Sequence, residues 1–182
     1  GQFGPGCANN CSALCRGPQH ACDARNGSCD LGCEPGFIPP LCVEECPAGT
    51  FGQDCGQNCS VHCVGVGDPC SHVSGSCDQG CEPGYAPPLC VRECPHMSYG
   101  DNCQEKCSAN CRNSSCHHVT GRCHRCHPGF RNYFCDLECP IHTYGDECQM
   151  TCDANCLDLL CDHVTGMCDQ CVAGKDGDFC QK

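Results

Sequence analysis

Apolar side chains lie along this chain singly or in short runs, broken by cysteine, glycine and polar residues. Nowhere do they keep the three-to-four spacing of an amphipathic helix. Short β-branched stretches stand between clusters of turn residues instead, a length that suits hairpin strands of about two to four residues. The turn clusters recur. Pro35-Gly36-Phe37, Pro83-Gly84-Tyr85 and Pro128-Gly129-Phe130 form one column, and His72-Val73-Ser74-Gly75, His118-Val119-Thr120-Gly121 and His163-Val164-Thr165-Gly166 another, with Asn26-Gly27 in that place in the first copy. A third column is aromatic-Gly: Phe3-Gly4, Phe51-Gly52, Tyr99-Gly100 and Tyr144-Gly145. Glycine supplies positive φ cheaply and proline presets a turn, so the pattern predicts turns, small hairpins and almost no helix. Each Pro-Gly-aromatic ring is expected to pack on a disulfide or on the next repeat's aromatic-Gly turn.

Cysteine organises these columns. With Cys7, Cys55, Cys103 and Cys148 aligned, the 31 cysteines fall into register at a period of 45 to 48 residues. Such a period means an array of small modules. The repeats read as 8–55, 56–103, 104–148 and 149–182, the last truncated and lacking the final cysteine pair, with residues 1–7 closing a preceding repeat.

Composition explains why cysteine is needed. There is no Trp, and only six Phe and four Tyr. A module of this size buries too little apolar surface to offset its conformational entropy without covalent staples. So many cysteines imply disulfides and an oxidising compartment: a secreted protein, or the outer part of a membrane protein. No apolar run is long enough to cross a bilayer, so membrane insertion by this chain is not expected. A net charge of −12 speaks against nucleic acid and other polyanions as partners. Protonation of all ten histidines would bring it to −2, so tighter self-association is expected near pH 5 than at pH 8. Four glycosylation sequons begin at Asn10, Asn26, Asn58 and Asn113; Asn26 and Asn113 rank first, because the other two contain a cysteine.

The motif E-C-P-x4-G-x2-C, followed by V-T-G-x-C and P-G-F-x4-C, resembles EGF-like repeats of the laminin type. It looks most like the variant in Draper-like multiple-EGF-domain engulfment receptors and in class F scavenger receptors. The resemblance spans essentially the whole chain and implies an elongated tandem array of small disulfide-rich modules. It also implies a pairing of first with third, second with fourth, fifth with sixth and seventh with eighth cysteine. That gives Cys11–Cys22, Cys15–Cys29, Cys33–Cys42 and Cys46–Cys55, then Cys59–Cys70, Cys63–Cys77, Cys81–Cys90 and Cys94–Cys103. The third set is Cys107–Cys116, Cys111–Cys123, Cys126–Cys135 and Cys139–Cys148, and the fourth Cys152–Cys161, Cys156–Cys168 and Cys171–Cys180. The chain departs from the family in two gaps. Three residues separate Cys11 from Cys15, and the fourth-to-fifth gap holds three residues in the first two repeats and two in the later ones, where the family usually has one in each. Cys7 is left over, to pair with an upstream cysteine or with another molecule.

Catalytic chemistry is not legible: no nucleophile elbow, zinc-protease or phosphate-loop motif occurs, and no enzyme is expected. Cys123-His124-Arg125-Cys126 and Cys168-Asp169-Gln170-Cys171 have the two-residue gap of zinc knuckles, but sit inside the expected disulfide lattice. His117, His118, His124 and His127 crowd into one repeat and are weak metal-ligand candidates, against the commoner case of solvated loop histidines. No EGF-type calcium entry motif is present; Asp176-Gly177-Asp178 and Val43-Glu44-Glu45 read as solvated turns. No cofactor is therefore expected beyond weak divalent-cation binding. Leu157, Leu159 and Leu160 mark either a partner surface or a module end. Two function classes remain: an adhesion or recognition array binding an extracellular protein or cell-surface ligand, and a structural component of a secreted matrix, filament or homo-oligomeric assembly, cross-linked through Cys7.

Overall fold

The computed structural model describes residues 1–67 and 69–182. It forms two compact units, Gly1–Glu93 and Cys94–Lys182. The division precedes Cys94, so the Cys94–Cys103 loop lies in the second unit. The fold is small and disulfide-rich, made of short antiparallel strand pairs and turns with almost no helix, in a repeated pattern, as the spacing of turn residues predicts.

In the first unit β1 (Gln2–Phe3) pairs with β2 (Asn9–Asn10), and β3 (Thr50–Phe51) with β4 (Gln57–Asn58). In the second, β5 (Ser98–Tyr99) pairs with β6 (Glu105–Lys106), β7 (Phe130–Arg131) with β8 (Leu137–Glu138), and β9 (Thr143–Tyr144) with β10 (Met150–Thr151). Two-residue strands cannot hold together by their own ladders. Fifteen disulfides do that work, and every buried apolar side chain among the described residues is a half-cystine.

One packing device recurs in every repeat. The aromatic of each aromatic-Gly turn lies on the glycine three residues beyond the histidine, or its equivalent, in the next column: Phe3 on Gly27, Phe51 on Gly75, Tyr99 on Gly121 and Tyr144 on Gly166. A Cβ on Gly121 would sit 2.3 Å from Tyr99 Cζ, and φ there is +73°. Only glycine meets both demands. The backbone seals the contact: Gly52 N–H donates to the His72 carbonyl, Gly100 to His118 and Gly145 to His163, while Gly4 donates to Ala24 at the matching place.

In the first repeat the Pro-Gly-aromatic ring packs on disulfides, one of the two expected partners: Phe37 lies against the half-cystines Cys15, Cys29, Cys33 and Cys42. Gly36 N–H donates to the Gly52 carbonyl of the next aromatic-Gly turn, at 2.8 Å. The Phe37 ring also meets His72 edge-on at 5.5 Å, and Phe130 meets His163 in the same way at 5.3 Å. The aromatic-Gly ring is already committed to the glycine of the histidine column, which leaves the imidazole as the available flat partner. The variable gap before the fifth cysteine is absorbed locally. Arg16 and Val64 N–H donate to the carbonyls of Gly32 and Gly80 across three residues, and Arg112 and Leu157 to Arg125 and Gln170 across two. Gly32 and Gly80 both carry positive φ, as expected where an extra residue must be accommodated.

Candidate recognition loops

The loop between the fifth and sixth cysteines is where the repeats diverge most. Its frame is constant. Cys33–Cys42, Cys81–Cys90, Cys126–Cys135 and Cys171–Cys180 all close it at a separation of nine. The second cysteine of each is fully buried with φ between +52° and +54°. One backbone bond recurs at 2.7 to 2.9 Å: Cys29 to Pro40, Cys77 to Pro88, Cys123 to Tyr133 and Cys168 to Asp178. Those pairs align the loops residue by residue.

Their contents are unlike. The first carries Ile38-Pro39-Pro40-Leu41 and the second Ala86-Pro87-Pro88-Leu89, each with a cis Pro-Pro bond. The third carries Arg131-Asn132-Tyr133-Phe134, turned at Asn132 (φ +75°), and the fourth Asp176-Gly177-Asp178-Phe179, turned at Gly177 (φ +91°). The first, third and fourth border surface hollows. Ile38 to Leu41 line one of about 180 Å³ with Val43 and Glu44, and Asp176 to Phe179 one of about 270 Å³ with Gln181 and Lys182. The third loop borders one of about 440 Å³, with Arg125, Phe130, Arg131, Asn132, Tyr133 and Glu147 on its walls.

Charge separates that repeat from the rest. Residues 104–148 hold five Lys or Arg against five Asp or Glu and are neutral. The other repeats hold two against six, one against five and two against six, so each carries −4. Arg112 and Arg125 face Asp146 and Glu147 at 3.5 and 3.9 Å, exposed pairs that contribute little. Arg122 lies over the Tyr133 ring at 4.3 Å, and Arg131 Nε donates to the Glu138 carbonyl. Neither has a carboxylate partner among the described residues. The turn beneath them is braced: Asn132 Oδ1 accepts from Phe134 N–H, and Asn132 Nδ2 donates to Asp136.

The histidines singled out in the sequence do not converge. His117 and His118 stack at 4.9 Å, and His117 Nδ1 faces the N–H groups of Val119 and Thr120, as the acceptor of a turn. Asp23 and Asp162 hold the same turn position in their repeats. Backbone N–H donation, from Arg25 and then Asn26, lowers the Asp23 pKa; backbone and then side-chain donation from Thr165 lowers that of Asp162. His124 lines the hollows of the third repeat, and His127 N–H donates to the Asn110 carbonyl. Among the described residues the only convergent ligand-type groups are Cys15/Cys29/Cys42, Cys63/Cys77/Cys90 and Cys111/Cys123/Cys135. All nine are in disulfides, as are Cys126, Cys168 and Cys171 of the knuckle-like pairs, and a disulfide sulfur is not a thiolate ligand. Asn10, Asn26, Asn58 and Asn113 are all exposed. Ser12 and Ser60, the third residues of two sequons, donate their hydroxyls to the carbonyls of Cys42 and Cys90. Cys7 is exposed and forms no disulfide. Leu157, Leu159 and Leu160 form an exposed turn.

Sequence reasoning followed the histidines and passed over Arg131 and Tyr133. The signal was present: half the Lys and Arg fall in one repeat, and the dipeptide that is Pro-Pro in two repeats is Asn-Tyr in the third. No protein-family model matches this chain, and no curated protein matches it.

Proposed function

We propose that this chain is an extracellular, non-enzymatic recognition array of EGF-like repeats, in the manner of the engulfment and scavenger receptors its motifs resemble. One observation carries the reading: four loops share one covalent and hydrogen-bonded frame while their chemistry changes from apolar to cationic to acidic. A purely structural repeat gains nothing from varying a solvent-facing loop, whereas a recognition surface does. Fifteen disulfides fit an oxidising compartment, and no described helix is long and apolar enough to cross a membrane. The test is binding of the fluorescent, natively disulfide-bonded chain to intact cells and to extracellular matrix. Exchange of Arg131-Asn132-Tyr133 for Asp-Gly-Asp should change that binding with the disulfide map unaltered; unchanged binding would sink the reading.

A second reading, a covalently linked matrix or filament component, draws on the exposed, unbridged Cys7. Intact mass before and after mild reduction tests it. A disulfide-linked multimer that falls to monomer supports assembly through Cys7, and a monomer in both states contradicts it.

A further inference from the structure

We propose that the hollow of the third repeat binds an acidic segment of a partner polypeptide, with Arg131 and Arg122 as the residues that engage its carboxylates. The inference rests on the recognition reading and names the ligand class of one site. Its first support is geometry: the hollow of about 440 Å³ shares Cys123 and His124 with a neighbouring one of about 300 Å³ that Arg122 lines. The two cations thus stand at adjoining concavities, with the Tyr133 ring under one of them. Its second support is availability. Arg131 is held through Nε, which leaves both terminal nitrogens for a ligand, and Arg122 is steered by the ring rather than by a carboxylate. A guanidinium fork matches a carboxylate in two parallel hydrogen bonds, and a cation on an aromatic face keeps its charge while losing side-chain freedom.

The third support is selection by the surroundings. Glu147 sits on the wall of the hollow, and each of the other repeats carries −4. A long polyanion would run beyond the hollow into that field and be repelled, whereas a segment of a few acidic residues would not. A short acidic segment would place its carboxylates at the arginines, with its aliphatic atoms against Phe130 and Tyr133. A second copy of this chain is the poorer occupant, because two molecules at −12 repel each other before any local contact forms.

Fluorescein-labelled hexaglutamate, titrated into the full disulfide-bonded chain at low salt with hexalysine as control, tests the proposal. Saturable binding of hexaglutamate alone is expected, weakened about tenfold or more by Arg131→Glu and left unchanged by Arg25→Glu in the first repeat. An unaltered disulfide map and melting temperature would show that the Arg131→Glu chain is folded. Absence of binding, or equal binding by the Arg131→Glu chain, would overturn the proposal. Displacement of the peptide by a heparin hexasaccharide at lower concentration would overturn it in favour of a sulfated glycan. Arg131-dependent self-association in sedimentation would overturn it in favour of a second copy. Cell and matrix binding of the Asp-Gly-Asp exchange, measured alongside, separates the two failures: if that binding still depends on the loop while hexaglutamate does not bind, the ligand class is wrong and the recognition reading stands.

Discussion

The aromatic-on-glycine platform and the fifth-to-sixth cysteine loop sit in the same modules and obey opposite rules. The platform repeats with hardly a change: Phe3, Phe51, Tyr99 and Tyr144 each lie on a glycine that leaves no room for a Cβ. The loop keeps its ends and replaces everything between, from Ile-Pro-Pro-Leu to Arg-Asn-Tyr-Phe to Asp-Gly-Asp-Phe. The difference shows where stability and chemistry reside. Stability comes from sulfur, backbone bonds and one ring-to-glycine contact, so the loop's side chains are free to vary without unfolding the module.

That separation can be broken most severely at the platform. Gly121→Ala forces a left-handed alanine and pushes its Cβ into Tyr99, and should destabilise the second unit by about 3 kcal/mol or more, read as a fall in melting temperature. Replacing Cys126 and Cys135 together by serine removes a ring of nine-residue separation. It should cost about 2.5 kcal/mol and abolish hexaglutamate binding, because the braced turn at Asn132 loses its closure. A smaller effect belongs to the Asp turns. Folding lowers the Asp162 pKa, so its stabilisation is fully present above the ordinary carboxylate value and is lost as pH falls through the folded one. Asp162→Asn should therefore flatten the acid limb of the melting-temperature profile below about pH 4. Smallest of all, Arg131→Glu should shift stability by less than about 0.5 kcal/mol, as expected of an exposed side chain outside the frame.

Much of the scaffold was legible before any coordinates. Turn dipeptides at a fixed period predicted strand pairs too short to stand alone and a fold without helix, because glycine and proline restrict the backbone locally. What neighbouring repeats do to each other was less legible. Phe37 was expected on a disulfide or on an aromatic-Gly turn; it packs on the disulfide cluster and also meets His72, a contact that depends on which ring is already occupied. The loop was the hardest part to read. The equal cysteine separations align the loops in the sequence, but that both hang from one backbone bond, Cys123 N–H to Tyr133 where Cys29 bonds to Pro40, is visible only in the fold.

The most direct test of a constant frame with exchangeable chemistry is to transplant the fourth loop into the third, writing Asp-Gly-Asp for Arg131-Asn132-Tyr133. Disulfide mapping, melting temperature and hexaglutamate titration would be measured on the same sample. The account predicts fifteen native disulfides, a melting temperature within a few degrees of the parent, and loss of hexaglutamate binding. Scrambled disulfides or a collapsed melting temperature would contradict it, by showing that the loop's side chains hold the module together.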